Sequence, residues 1–169
     1  YQFRGQPGTR QILAEPRHAT CGYVDGCHIG AGGAKLHRLA TGRGAEVRHA
    51  LAGNVAEQAM YFTLPADSTG QPLDGSKAGY SITFPPGQVP PVKYFWSLTM
   101  YSVPDRFLVA NPINRYSIGS GTPGLQKNPD GSLTVHLTAV DPGGDKTANW
   151  LPAPTGPFWV VLRTYGPQQ

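Results

Sequence analysis

SLTVHLTAV, residues 132–140, places Leu133, Val135, Leu137 and Ala139 at every second position, with Thr134, His136 and Thr138 between them. Successive side chains of an extended strand point to opposite faces. The stretch therefore predicts a half-buried strand with one apolar and one wet face. Asn128-Pro129-Asp130-Gly131 runs straight into it and carries the residue types of a tight turn. Working outward, KYFWSLTMYSV (93–103) has bulk on both of its faces, Tyr94, Trp96, Leu98 and Met100 on one and Phe95, Ser97, Thr99 and Tyr101 on the other. Such a pattern suits a central strand covered on both sides. Residues 80–84 make a shorter run stopped by Pro85-Pro86, and residues 158–165 make the last one, closed by Gly166-Pro167. Leu73-Asp74-Gly75-Ser76 is a further turn. Short strands separated by turn clusters predict a mainly β fold, an antiparallel sandwich or barrel.

The first third reads differently. Arg10 to Glu15 fits one helical turn ended by Pro16, and residues 46–60 fit a weak helix with Gly53 inside it. One or two short helices are therefore expected here. The chain divides into a Gly- and His-rich basic segment, 1–45, and a β core from 51 to 169, with no linker that would split the 169 residues into two domains. Charged residues are only 14% of the total, against 22 Gly and 17 Pro, as in turn-rich β proteins.

The net charge of +4 belongs to the first fifty residues, where seven basic side chains face three acidic ones; the remainder is neutral. Those basic residues are scattered and lack interleaved aromatics, which argues against a nucleic-acid surface. No apolar run approaches the roughly 20 residues of a membrane-spanning helix. Gly30-Ala31-Gly32-Gly33 lacks the lysine and the strand-loop-helix setting of a phosphate loop, and no cofactor is expected. The chain opens on Tyr1, as a processed product or an excised domain would.

Four constellations could carry chemistry. In NPINRYSIG (111–119), Arg115 stands beside Asn111, Asn114 and Tyr116. A planar guanidinium fork with amide and hydroxyl neighbours suits a carboxylate, a phosphate or sugar hydroxyls. The plainer alternative ties Arg115 to loop carbonyls. Trp96, Trp150 and Trp159, with Tyr94, Tyr101 and Tyr165, could stack on sugar rings or could simply be core. Trp150, in the Pro-rich NWLPAP (149–154), would line a pocket mouth or plug one end of the fold. His18, Cys21, Cys27 and His28 offer metal ligands, but at a spacing unlike that of structural zinc sites. Asp105, Asp130, Asp141 and Asp145 read as turn and loop residues, not as a catalytic pair.

PPVKYFWSLTMY (90–101), NPINRYSIG (111–119), NPDGSLTV (128–135), NWLPAP (149–154) and FWVVLRTYGP (158–167) occur in this order. Together they resemble a bacterial domain of unknown function, number 1214, which ends larger proteins after domain of unknown function 1254. The resemblance begins near Leu51 and implies an antiparallel jelly-roll-like sandwich in a secreted or periplasmic chain. It implies no activity and no catalytic residues. The expected function is thus a ligand-binding or accessory module for a saccharide or small polar anion. Its rim site would comprise Arg115, Asn111, Asn114 and Tyr116, walled by Trp150 and Trp96. Two rival readings are a hydrolase or lyase completed by a companion domain or second subunit, and a protein-interaction domain.

In an exported protein, Cys21 and Cys27 are expected to close a short disulfide loop, worth about 2 kcal/mol through the entropy of the unfolded chain. Thiol alkylation without reductant should then label neither cysteine. Two labelled thiols would overturn the pairing.

Overall fold

The computed structural model describes the backbone of Thr9–Gln11 and Ala19–Thr20, and residues 58–168 in full. In chain order the strands are β1 (Thr9–Gln11), β2 (Ala19–Thr20), β3 (Ala59–Leu64), β4 (Gly79–Phe84), β5 (Val92–Ser102), β6 (Ser117–Gly119), β7 (Leu133–Leu137) and β8 (Phe158–Pro167). They form a three-stranded sheet, β1-β4-β7, and a five-stranded sheet, β2-β3-β8-β5-β6. Every pairing is antiparallel except the short β1–β4 ladder. The described residues are therefore mainly β, as the alternating runs predict.

The alternation also sets which face is buried. Leu133, Val135 and Leu137 of β7 stand opposite Phe84, Ile82 and Tyr80 of β4. All six join one apolar cluster with Trp96, Leu98 and Met100 of β5, Ile118 of β6, and Phe158, Val160 and Leu162 of β8. Each sheet thus gives one pleat face to a shared core. Tyr80 is a special case, because its hydroxyl is buried. It donates to the Asp74 carbonyl at 3.1 Å and accepts from the Asp74 amide at 2.9 Å, so burial leaves no phenol unpaired.

The N-terminal expectations divide. Arg10 and Gln11 lie in β1 instead of opening a helical turn, because three residues with a sheet edge beside them gain ladder hydrogen bonds that one isolated turn cannot match. Ala59 and Met60, expected at the end of a weak helix, begin β3. Apart from Gln58, the rest of both segments, with Cys21, Cys27, His18 and His28, lies outside the described residues.

The three-stranded sheet is continued past β7 by NWLPAP. The Leu151 amide donates to His136 O at 2.8 Å and the Ala153 amide to Thr138 O at 3.0 Å. The segment thereby covers an edge that would otherwise offer unpaired backbone groups. Its far end packs on the LDGS turn. A Cβ on Gly75 would lie 2.0 Å from the Pro154 carbonyl oxygen, so only glycine permits this approach.

His136 reports on this edge. Burial, with the Lys146 charge as a second cause, holds its imidazole below the ordinary histidine value. A lowered folded-state pKa adds stability above the unfolded value of about 6.5 and loses it as pH falls. The melting temperature should therefore drop between about pH 7 and pH 5, and His136→Gln should flatten that slope. An unchanged slope in the variant would overturn the assignment. Asp74, Asp130 and Asp141, whose carboxyls hydrogen bonds hold below their ordinary value, add stability that is present above about pH 4 and is lost only at more acid pH.

Candidate functional site

Arg115 follows β5 at the end of a loop whose shape Asn111 fixes. The Asn111 side chain donates to the carbonyls of Val109 and Arg115 and accepts from the Arg115 amide, at 2.9–3.0 Å. The amide group that looked like a ligand partner is thus consumed in building the loop. The Arg115 guanidinium turns toward the 3-10 helix Gly144–Asn149. Its Nη1 donates toward the carbonyls of Thr147 (3.2 Å), Ala148 (3.2 Å) and Trp150 (2.8 Å). The last carbonyls of a helix have no partner within it, and a cation there satisfies them. This geometry is the structural tie.

The neighbouring side chains complete a clasp on the same segment. Asn149 is buried and satisfied on all sides: its amide donates to Gln126 O and Thr134 O, and its oxygen accepts from the Gln126 amide. Trp150 is 3% exposed, with its indole N–H on Thr138 O at 2.8 Å, and acts as a plug. Trp96, also 3% exposed, packs on Phe84 with ring centroids 5.1 Å apart. Neither tryptophan offers surface to a ligand. Only Asn114 and Tyr116 stand outside, their side chains 3.4 Å apart. The expected rim site is therefore not one cavity.

Asp130 and Asp141 go to turns as read, whereas Asp145 lies in the first turn of the 3-10 helix. Asp130 accepts from the Ser132 amide and hydroxyl, and Asp141 accepts from the Gly143 amide and Thr147 hydroxyl. Among the described residues, no group of three His, Cys, Asp or Glu side chains is placed to hold a metal ion.

A different surface gathers the chemistry. The outward positions of β3, β5 and β8 bring together Tyr61, Phe95, Tyr101, Trp159, Arg163 and Tyr165 on the outer face of the five-stranded sheet. Phe95 stacks on Tyr165 at 4.4 Å, Tyr61 meets Tyr165 edge-on at 6.3 Å, and Tyr101 lies 5.4 Å from Trp159. Arg163 sits between them. Its Nη2 donates to the Tyr101 hydroxyl at 2.7 Å, and its guanidinium carbon lies 5.8 Å and 5.5 Å from the ring centres of Tyr61 and Tyr101. These are cation–π distances. Hydrogen bonding to Tyr61, then burial, pushes the Tyr165 phenol above its ordinary value and keeps it neutral. Among the described residues, the strands bring no carboxylate to this face. Sequence reasoning noted Trp159, Tyr101 and Tyr165 but passed over Arg163. The period of two in Trp159, Val161, Arg163 and Tyr165 carries that signal.

Fold and surface together define a two-sheet, mainly antiparallel β domain with a clasped edge and a partly exposed aromatic face. Residues 58–169 match the family described as "Protein of unknown function (DUF1214)", and the chain belongs to that family. Among solved structures it is similar to the VPA0106 protein from Vibrio parahaemolyticus, at 36% identity and a TM-score of 0.61. The match covers 69% of this chain and 28% of the Vibrio chain, so it spans little more than a quarter of that longer protein. No curated protein matches.

Arg115→Met keeps a long side chain but removes the nitrogen, Nη1, from which all three carbonyls accept. It should cost ~1–2 kcal/mol and lower the melting temperature by several degrees. Scanning calorimetry on that variant checks the tie, which an unchanged melting temperature would refute.

Proposed function

We propose that the domain is a non-catalytic recognition module that binds a saccharide on the outer face of its five-stranded sheet. The observation that carries this reading is the row of partly exposed rings around Arg163. Sugar rings present flat C–H faces rimmed by hydroxyls. Aromatic side chains stack on such faces, while a fixed guanidinium and phenols satisfy the hydroxyls. Outward side chains from Trp159 to Tyr165 span about 20 Å at the rise of a strand, which suits an extended chain of sugars. The reading carries with it a jelly-roll-like sandwich and a periplasmic or secreted location, where glycans are met.

Affinity electrophoresis in gels containing neutral and acidic polysaccharides tests it. The native domain should be retarded by at least one of them. Phe95→Ala and Trp159→Ala should each lose about 0.5–1.5 kcal/mol of binding, up to roughly tenfold in affinity. Melting curves would confirm that the variants stay folded. Free migration in every gel, or variants retarded as strongly as the native protein, would sink the reading.

A protein-docking role has one observation of its own. Val103, Phe107, Leu108, Ile113 and Tyr116, all exposed large apolar side chains, fall within the single connection between β5 and β6. Its occupant would be a companion domain or a second copy. Under that reading Phe107→Ser, and not Trp159→Ala, alters association measured by sedimentation.

A further inference from the structure

We infer that the hollow at the Tyr165 end of the aromatic row is a subsite for an acidic sugar, a uronate. The sugar ring would lie against Tyr94 and Tyr165, and Lys93 would take its carboxylate. This rests on the saccharide reading above and specifies its ligand.

The hollow is built by a fault in the ladder. The β5–β8 register shifts between Val92 and Phe95, so Lys93 and Tyr94 are freed from strict alternation. Bulges of this kind re-aim side chains. Opposite them stands Gly166 with φ +61, where a Cβ would lie 2.7 Å from the Tyr94 ring and 3.0 Å from the Lys93 Cβ. Glycine therefore lets both side chains fold over β8. The result is a cavity of 360 Å³ lined by Gln58, Lys93, Tyr94, Tyr165 and Gln168 around the Gly166-Pro167 backbone. Small-molecule sites begin at about this size.

The lining selects a ligand class. Tyr94 is 66% exposed, an aromatic surface held out to solvent, with Lys93 Nζ 5.3 Å from its ring centre. Among the described residues, no carboxylate lines the cavity and none pairs with Lys93. Gln58 and Gln168 bring amides that donate and accept, as ring hydroxyls require. A phosphate is served less well, because phosphate sites rest on free backbone amides. Here the Gly166 amide is committed to Gln58 O at 2.7 Å and the Gln168 amide to Pro91 O at 2.9 Å. One point cation, two aromatic walls and two amides fit a ring that bears one carboxylate. Tyr165 stacks on Phe95, so the cavity opens directly onto the aromatic face, where Arg163 offers a second cation one outward position away.

Calorimetric titration of the native domain with galacturonate and guluronate hexamers, with cellohexaose as the neutral ring and polyglutamate as the sugar-free polyanion, provides the test. At about 0.15 M salt, where exposed charges are screened within roughly 8 Å, at least one uronate hexamer should bind about tenfold more tightly than cellohexaose. Lys93→Gln should reduce uronate binding to the neutral level, and Lys93→Arg should keep most of it. Lys127→Gln, which removes the same charge from an exposed position elsewhere, should change nothing. Equal binding of acidic and neutral hexamers, equal binding of polyglutamate, or an unaffected Lys93→Gln variant overturns the uronate subsite and leaves the saccharide face standing if cellohexaose binds. Binding of none of the sugars removes both.

Discussion

Residues 149–153 are buried although they belong to no regular strand, and a buried backbone must find partners for every amide and carbonyl. The clasp around NWLPAP meets that demand. Arg115 takes the carbonyls at the end of the 3-10 helix, Asn149 bridges to β7 and to Gln126, and the Trp150 indole fastens on Thr138. Leu151 and Ala153 continue the β7 ladder. Each contact satisfies a group whose desolvation would otherwise cost about 1–3 kcal/mol. The loop of Arg115 and the strand of Leu133 to Leu137 are thereby held to the same segment. Two of the ordered motifs that mark the family, NPINRYSIG and NWLPAP, are the two halves of this single tie.

The two arginines Arg115 and Arg163 therefore stand in different settings. Arg115 faces carbonyls that have lost water, where a planar donor serves the fold. Arg163 stands on the outer face among rings and a phenol, with no carboxylate among its partners in the described residues. Both are Arg within aromatic-rich stretches of sequence. What separates them is the company that the pleat assigns, helix-end carbonyls in one case and ring faces in the other. The same separation applies to the tryptophans. Trp96 and Trp150 point inward, whereas Trp159 keeps an outer edge because its position in β8 has the opposite parity from Phe158 and Val160.

Much of the fold was legible because strand alternation is a local property. The apolar positions of 132–140 set strand identity and the inward face of Leu133, Val135 and Leu137 without knowledge of any partner; the bulky run of 93–103 set strand identity alone, and Phe95, expected under cover, is 45% exposed. The turns NPDG and LDGS were legible for the same reason, since an Asp side chain caps amides two residues on. The helix read across residues 46–60 failed at Ala59 and Met60. Spacing of three to five is weak evidence, and pairing with Thr164 and Tyr165 of β8 outweighs it.

The candidate site was legible only in its residue types. The sequence by itself determined that this chain is a turn-rich β domain, which stretches alternate, that Leu133, Val135 and Leu137 face the core, and to which family the second half is similar. Those properties follow from period, turn chemistry and motif order, all of them short-range. The tertiary structure alone decided that Arg115 meets the carbonyls of Thr147, Ala148 and Trp150, and that Tyr61, Phe95 and Arg163 meet on one surface. It also decided that a bulge opposite Gly166 opens a cavity beside them. Tyr61 and Arg163 lie far apart in the chain and become neighbours only through the β3–β8 register, and no local pattern encodes a register between distant strands.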